Sequence, residues 1–190
     1  MAVKRLFAAI KVEPSNILKN LLFDLFSNFK SSKINWSSLE NLHLTLKFLG
    51  DVETGNISDI HHVLKEQAKL FPPFEMKFSQ LGYFEKNRQP SVLWLGIEQN
   101  NYLTDLADAV INALEKIGYQ PEERKYSPHL TLGRIKFLQN KNQFLSFIET
   151  NKNVGNSSQQ VASFNLYESI LYPTGPVYKI IQKYELGVGK

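Results

Sequence analysis

Four histidines occur in the chain, and two of them open the same tetrapeptide, His43-Leu44-Thr45-Leu46 and His129-Leu130-Thr131-Leu132. Imidazole titrates near neutral pH, so of two imidazoles sharing a cleft one can hold a proton while the other accepts one. In-line opening of a phosphodiester needs that division of labour: a base for the attacking water and an acid for the departing alkoxide. The two threonine hydroxyls can donate hydrogen bonds to the non-bridging phosphate oxygens where charge accumulates. A metal is not required by such a scheme, and two histidines without a partner carboxylate on their strand faces fall short of the usual three or four ligands. The other pair, His61 and His62, are adjacent on a predicted helix, cannot share a face, and read as solvated or partly packed.

Alternation decides where these groups point. In a strand, residues two apart share a face, so His43 and Thr45 project to one side while Leu42, Leu44 and Leu46 project to the other. His129 and Thr131 do the same against Leu130 and Leu132. Lys47 has the parity of His43 and Thr45 and is therefore a candidate substrate contact, while Phe48 falls with the leucines as core. Arg134 has the opposite parity to His129. It reaches the cleft only if the strand ends or bulges near Gly133; otherwise it is structural. Phe84, in what reads as a polar loop, is a candidate for stacking a nucleobase, Trp94 reads as core, and Trp36 fits either role.

The elements that must carry these strands read as an α+β chain with mostly antiparallel strands. Lys4 to Val12 is a strand, followed by a helix with Pro14 in its first turn and apolar positions from Ile17 to Phe26. Asn41 to Leu49 is the first histidine strand, Asp51 to Gly55 a polar break, and Ile57 to Leu70 a helix stopped by Pro72 and Pro73. Phe74 to Leu81 and Ser91 to Ile97 read as strands flanking a long polar loop that holds Gly82, Asn87 and Pro90. Leu103 to Leu114 gives the clearest helical stripe, ended by Gly118. His129 to Ile135 is the second histidine strand, Lys141 to Thr150 a helix, Asn151 to Gln160 a polar patch, and Ala162 to Leu171 and Tyr178 to Leu186 closing strands. No low-complexity linker divides the chain, so residues 1–190 are expected to form one bilobal domain.

Composition narrows the chemistry further. With 190 residues, 43% hydrophobic and 21% charged, the chain is long enough for a sizeable core and is neither fibrous nor disordered. Zero cysteines exclude disulfides, zinc ribbons, iron-sulfur clusters and thiolate nucleophiles. The opening apolar run, Leu6 to Ile10, is too short for a signal peptide, and no stretch approaches the roughly 20 apolar residues of a membrane span; a cytoplasmic protein with no membrane partner is expected. A net charge of +4 without a dense Lys/Arg run suits a small phosphate-bearing ligand or an RNA end better than long duplex nucleic acid.

HLTLKFLG at His43 to Gly50 and HLTLGR at His129 to Arg134 resemble the paired His-x-Thr-x signatures of the 2H phosphoesterase superfamily, in particular the RNA 2',3'-cyclic phosphodiesterases, also called the 2'-5' RNA ligase or LigT-like family. Arg5 to Ile10, Pro90 to Gly96, Tyr126-Ser127-Pro128 and Leu166 to Ser169 are similar to that family as well, so the resemblance spans nearly the whole chain. It implies a bilobal α+β fold with pseudo-twofold symmetry, two antiparallel sheets facing a central cleft with helices outside. It implies hydrolysis of a 2',3'-cyclic phosphate RNA terminus, or of a nucleotide carrying one, to a 2'-phosphomonoester. By motif, His43 is the proton donor to the 3' oxygen, His129 the base, and Thr45, Thr131 and Arg134 hold the phosphate; Gly133 stands where the family more often has alanine. No cofactor, metal or obligate protein partner is implied, and a monomer is expected. The alternatives are 2'-5' RNA ligation and a non-catalytic protein that binds RNA ends.

Overall fold

The computed structural model describes residues 2–120, 126–153, 157–173 and 175–187. In chain order the elements are β1 (Val3–Lys11), α1 (Asn16–Asn28), β2 (Lys33–Trp36), β3 (His43–Glu53), α2 (Ile57–Ala68), β4 (Phe74–Lys86), β5 (Gln89–Ile97), α3 (Asn101–Glu115), β6 (His129–Phe137), α4 (Lys141–Thr150), β7 (Ser158–Val161), β8 (Ser163–Tyr172) and β9 (Gly175–Glu185). Three helices begin where a side chain takes up an orphan amide. Ser15 Oγ accepts from Leu18 N at 3.2 Å, Asn100 Oδ1 from Leu103 N at 3.1 Å, and Asn140 Oδ1 from Gln143 N at 3.0 Å. Ser15 is the cap of α1, so Pro14 precedes the helix and does not open its first turn. Gly118, at φ +100°, reverses the chain after α3, as the sequence suggests.

The strands form two wholly antiparallel sheets, one of four strands in the order β3-β1-β8-β9 and one of five in the order β2-β6-β5-β4-β7. Neither sheet comes from one half of the chain. β1, which carries β3 on one side, pairs on the other with β8 from the far end, and β9 follows β8, while β2 joins the sheet of β4 to β7. The two similar halves suggested by the repeated motif are thus interleaved in space. Helices α2 and α3 pack on each other, with α3 against β3 and α2 against β9. Over the other sheet, Phe29 at the end of α1 meets Phe144 and Phe147 of α4, with ring centroids 5.5 and 5.3 Å apart.

One buried cluster runs through both sheets and all four helices, including Leu6, Ala8 and Ile10 of β1, Leu44 and Leu46 of β3, and Leu130 and Leu132 of β6. Phe7 and Ala9, of opposite parity on β1, belong instead to a small second cluster with Tyr167 and Tyr178. That face is the inner one. β3 and β6, the two histidine strands, run against each other where the sheets meet.

Three local expectations change. The segment from Gly82 to Pro90 is not a long loop: β4 runs on to Lys86, β5 starts at Gln89, and Asn87 and Arg88, at φ 52° and 59°, turn the hairpin in two residues, the tight connection whose twist suits paired strands. The first part of the polar break after the first histidine strand is also strand, since β3 continues to Glu53, and a single 3-10 turn, Thr54–Asn56, follows. Two short strands, β2 and β7, add to those read from the sequence; β7 begins in the polar patch from Asn151 to Gln160, of which residues 154–156 fall outside the described residues, and ends at Val161. Among the described residues no helix is long and apolar enough to cross a membrane.

Candidate active site

Residues facing each other in an antiparallel ladder share a face, so the pairing registers fix where each candidate points. On β3, His43 faces Lys11 and Thr45 faces Ala9, the inner side of β1. The next pair is Lys47 with Ala8. Leu46 is therefore an extra residue, a bulge, and beyond it the alternation inverts. Lys47 takes the side of Ala8, only 4% exposed, with Nζ donating to the Gln120 carbonyl at 2.7 Å. The parity argument for Lys47 as a substrate contact is overturned by that bulge. Phe48, expected in the core, pairs with Phe7 and emerges on the inner face, 48% exposed, its ring 5.9 Å from that of Phe7.

The second motif carries the same device at the same place. On β6, His129 faces Gly96, Thr131 faces Trp94, Gly133 faces Leu93 and Arg134 faces Val92. Leu132 is the extra residue. Gly96, Trp94 and Val92 alternate on β5, so His129, Thr131 and Arg134 stand on one face, as a bulge near Gly133 requires. The bulges make Lys47 the counterpart of Gly133 and Phe48 the counterpart of Arg134. A Cβ at position 133 would lie 2.8 Å from Ile34 Cγ2 and 3.1 Å from Trp36 Cε3, because these side chains of the neighbouring strand β2, where Trp36 faces Gly133, crowd this point, and glycine suits it. Half-buried Trp36 packs at this edge of the core.

Each imidazole is held in the same way. His43 Nδ1 lies 2.7 Å from the Asn41 carbonyl and His129 Nδ1 lies 2.7 Å from the Ser127 carbonyl. A carbonyl only accepts, so each Nδ1 carries the hydrogen and each Nε2 is left for chemistry. Each ring also meets an aromatic edge at 86°, Tyr178 for His43 at 5.0 Å and Phe84 for His129 at 4.8 Å. Phe7 lies 5.0 Å from His43 on another side. Phe84 belongs to β4, not to a loop, and its ring also touches Trp94 at 5.4 Å. Trp94 is half-buried on the inner face and not in the core. Its indole covers Gly82 and Gly96, since a Cβ at 82 would lie 2.3 Å from Trp94 Cη2.

Electrostatics tie the two strands together. Burial pushes the His43 imidazole below its ordinary value of 6.5, the Asn41 carbonyl partly opposes this, and the Arg134 guanidinium and His129 lower it further. His129 is lowered in the same order, by burial and then Arg134, against the Ser127 carbonyl. Tyr178 is raised by burial and drawn back by Arg134. Arg134 thus acts on groups of both sheets. His61 lies elsewhere, with Nδ1 3.4 Å from the Tyr184 hydroxyl, and His62 is exposed. Among the described residues no group of three or more His, Asp or Glu side chains converges as metal ligands would. Phe7, Phe48, Trp94 and Tyr178 were not in the sequence-derived site. The signal for Phe48 was available, because a bulge invoked for HLTLGR applies equally to HLTLKF.

The family model described as LigT like Phosphoesterase matches residues 12–94 and again residues 95–178, one histidine motif in each match. The chain is 35% identical over 180 residues to the RNA 2',3'-cyclic phosphodiesterase of Methanocaldococcus jannaschii, covering 95% of this chain and 99% of that protein. It is 35% identical over 174 residues to the enzyme of the same name from Thermotoga maritima, covering 90% and 87%. Among solved structures, a Thermus thermophilus protein superposes with a TM-score of 0.79 at 24% identity, over 97% of this chain and 98% of that one. Escherichia coli LigT in its apo form gives 0.77 at 24% identity, over 98% and 99%.

Proposed function

The chain belongs to the LigT-like phosphoesterase family, and from that premise we propose that it opens the 2',3'-cyclic phosphate at an RNA 3' terminus to a 2'-phosphomonoester with two imidazoles and no metal. In this reading His129 Nε2 takes a proton from a water that attacks phosphorus. The bond from phosphorus to the 3' oxygen breaks, and protonated His43 Nε2 gives its proton to that oxygen. Thr45, Thr131 and Arg134 hold the non-bridging oxygens as charge builds on them. Phe48 offers the terminal base an exposed aromatic face, a contact that any base can make; its ring and that of His43 both meet Phe7 on the inner side of the sheet. The acid and base roles follow the motif resemblance; substrate identity follows the names of the relatives.

The observation that carries this reading is the matched pair of motif strands: His43 and His129 each have Nδ1 tied to a backbone carbonyl at 2.7 Å, and the Leu132 bulge turns Arg134 to the face of His129 and Thr131. The Arg134 guanidinium lowers the pKa of both imidazoles, and a phosphate among the three groups would offset that repulsion, because its negative charge favours every cation around it. The test is turnover of an oligoribonucleotide ending in a 2',3'-cyclic phosphate, beside a mononucleotide 2',3'-cyclic phosphate, with EDTA present. Hydrolysis of both, faster per unit concentration for the oligonucleotide, is expected. Turnover that appears only on adding a divalent cation would refute the two-imidazole scheme.

A further inference from the structure

We propose that Asn41 is a positioning residue whose carboxamide clasps the β8–β9 hairpin to the start of β3, closing the curled sheet over His43 and holding the Tyr178 ring against the imidazole. This deepens the proposed function and rests on it for its effect on rate, though not for its effect on geometry. β3 and β9 are the two outer strands of their sheet, with β1 and β8 between them. In a flat sheet three strand spacings, about 14 Å, would separate them. Yet Asn41 Nδ2 donates to the Pro176 carbonyl at 2.9 Å, so the sheet curls until the two edges almost meet, and a side-chain hydrogen bond spans what remains.

The same residue serves His43 through its backbone. The Asn41 carbonyl accepts from His43 Nδ1 at 2.7 Å, while its side chain holds Pro176, two residues before Tyr178. Pro176 and Tyr178 lie on the same side of β9, and the Tyr178 ring stands edge-on to the imidazole at 5.0 Å. One residue therefore fixes the hydrogen-bonded nitrogen of His43 and, through the hairpin, the ring that walls it in.

At Phe84, the aromatic neighbour of His129, the ladder partner is Val92 of β5, and β7 meets β4 only along Phe74 to Lys77. Tyr178 sits on an outer strand whose single ladder partner is β8. Proline at 176 cannot donate to a further strand, but its carbonyl still accepts. An outer hairpin end with one partner is the kind of segment that opens locally at low cost, and Asn41 opposes that opening where it would release His43.

The experiment uses Asn41→Ala, with Asn41→Ser as a second variant whose side chain is too short to span the gap and which carries the hydroxyl of a turn-compatible residue. With a 2',3'-cyclic phosphate substrate, kcat falls about ten-fold while KM changes less than about three-fold, since the imidazole is misplaced and the phosphate-holding groups are untouched. In proton NMR of the ligand-free protein, the His43 ring resonances lose the ring-current shift from Tyr178 and its titration midpoint rises as water reaches it; Phe7, Lys11, Tyr167 and Tyr178 of its own sheet and His129 and Arg134 of β6 are the groups that face it. His129 resonances stay in place. Amide exchange in residues 175–179 becomes faster. Unchanged His43 resonances and hairpin exchange in both variants would overturn the clasp. If the wild-type protein does not turn over the cyclic phosphate, the functional reading fails, and the NMR and exchange measurements still decide the clasp.

Discussion

Replacing Arg134 by alanine removes the group whose position depends on the Leu132 bulge and whose charge acts on both histidines. In the structure the side chain is exposed and stands on the face of His129 and Thr131. Loss of one preorganised donor to developing phosphate charge costs on the order of 100-fold in kcat, about 2.7 kcal/mol; lysine, which keeps the charge but not the planar fork, should recover part of that. The pH dependence gives a sharper signature. Arg134 holds the pKa of His43 and of His129 down, so its removal stabilises both imidazolium forms. In the proposed scheme kcat/KM needs one imidazole neutral and the other protonated, and both limbs of its pH profile should then move to higher pH in Arg134→Ala. Steady-state rates from about pH 4.5 to about pH 8.5, bracketing both titrations, with thermal melts to verify folding, measure this. A rate within about three-fold of wild type, or a profile displaced to lower pH, would mean that Arg134 does not work in the cleft.

Other consequences follow from the same geometry. Phe48→Ala should raise KM for cyclic-phosphate RNA about ten-fold with little change in kcat, as expected for loss of base stacking worth roughly 1–3 kcal/mol; an unchanged KM would return Phe48 to a purely structural role. Gly82→Ala drives a Cβ into the Trp94 indole at 2.3 Å from Cη2, and overpacking of this kind costs about 1–3 kcal/mol. Urea titration should show it, and kcat should fall with it because Trp94 supports Phe84 against His129. Both histidines have folded-state pKa values below the unfolded value, so the unfolded chain binds more protons as pH falls. The stability these groups contribute is complete above about pH 6.5 and is lost as pH drops through their lowered values. Thermal melts from about pH 7.5 to about pH 5 should show a decline that added inorganic phosphate partly reverses.

The elements with strong local signals were legible from residue types alone. α3 shows its stripe and its terminal glycine, and β3 and β6 show apolar leucines alternating with polar residues, because burial on one face of a regular element writes its period into the sequence. What alternation does not report is a bulge. One extra residue at Leu46 and another at Leu132 invert the faces beyond them, which sends Lys47 into the interior and brings Phe48 and Arg134 out. The conflict between the parity of Arg134 and its motif role points to a bulge; Lys47 raises no such conflict, so parity alone gives no sign of the same bulge in β3. The β4–β5 turn was hidden for another reason. Gly82 and Pro90 resemble loop punctuation, whereas Gly82 makes room for an indole and Pro90 lies within a strand. The interleaving of the two halves depends on pairings between chain ends, which no local pattern encodes, and so does the meeting of Tyr178 with His43.

In the proposed scheme two imidazoles, one from each motif, supply all the proton transfers. Phosphorus NMR of a 2',3'-cyclic phosphate RNA terminus in the presence of EDTA, with the wild-type protein, His43→Ala and His129→Ala, decides whether they do. Wild-type protein should convert the cyclic resonance to that of a 2'-phosphomonoester alone, and each variant, folded as judged by its melt, should lose at least about 100-fold in rate. Wild-type turnover by either variant, or a 3'-phosphomonoester product, would contradict the account.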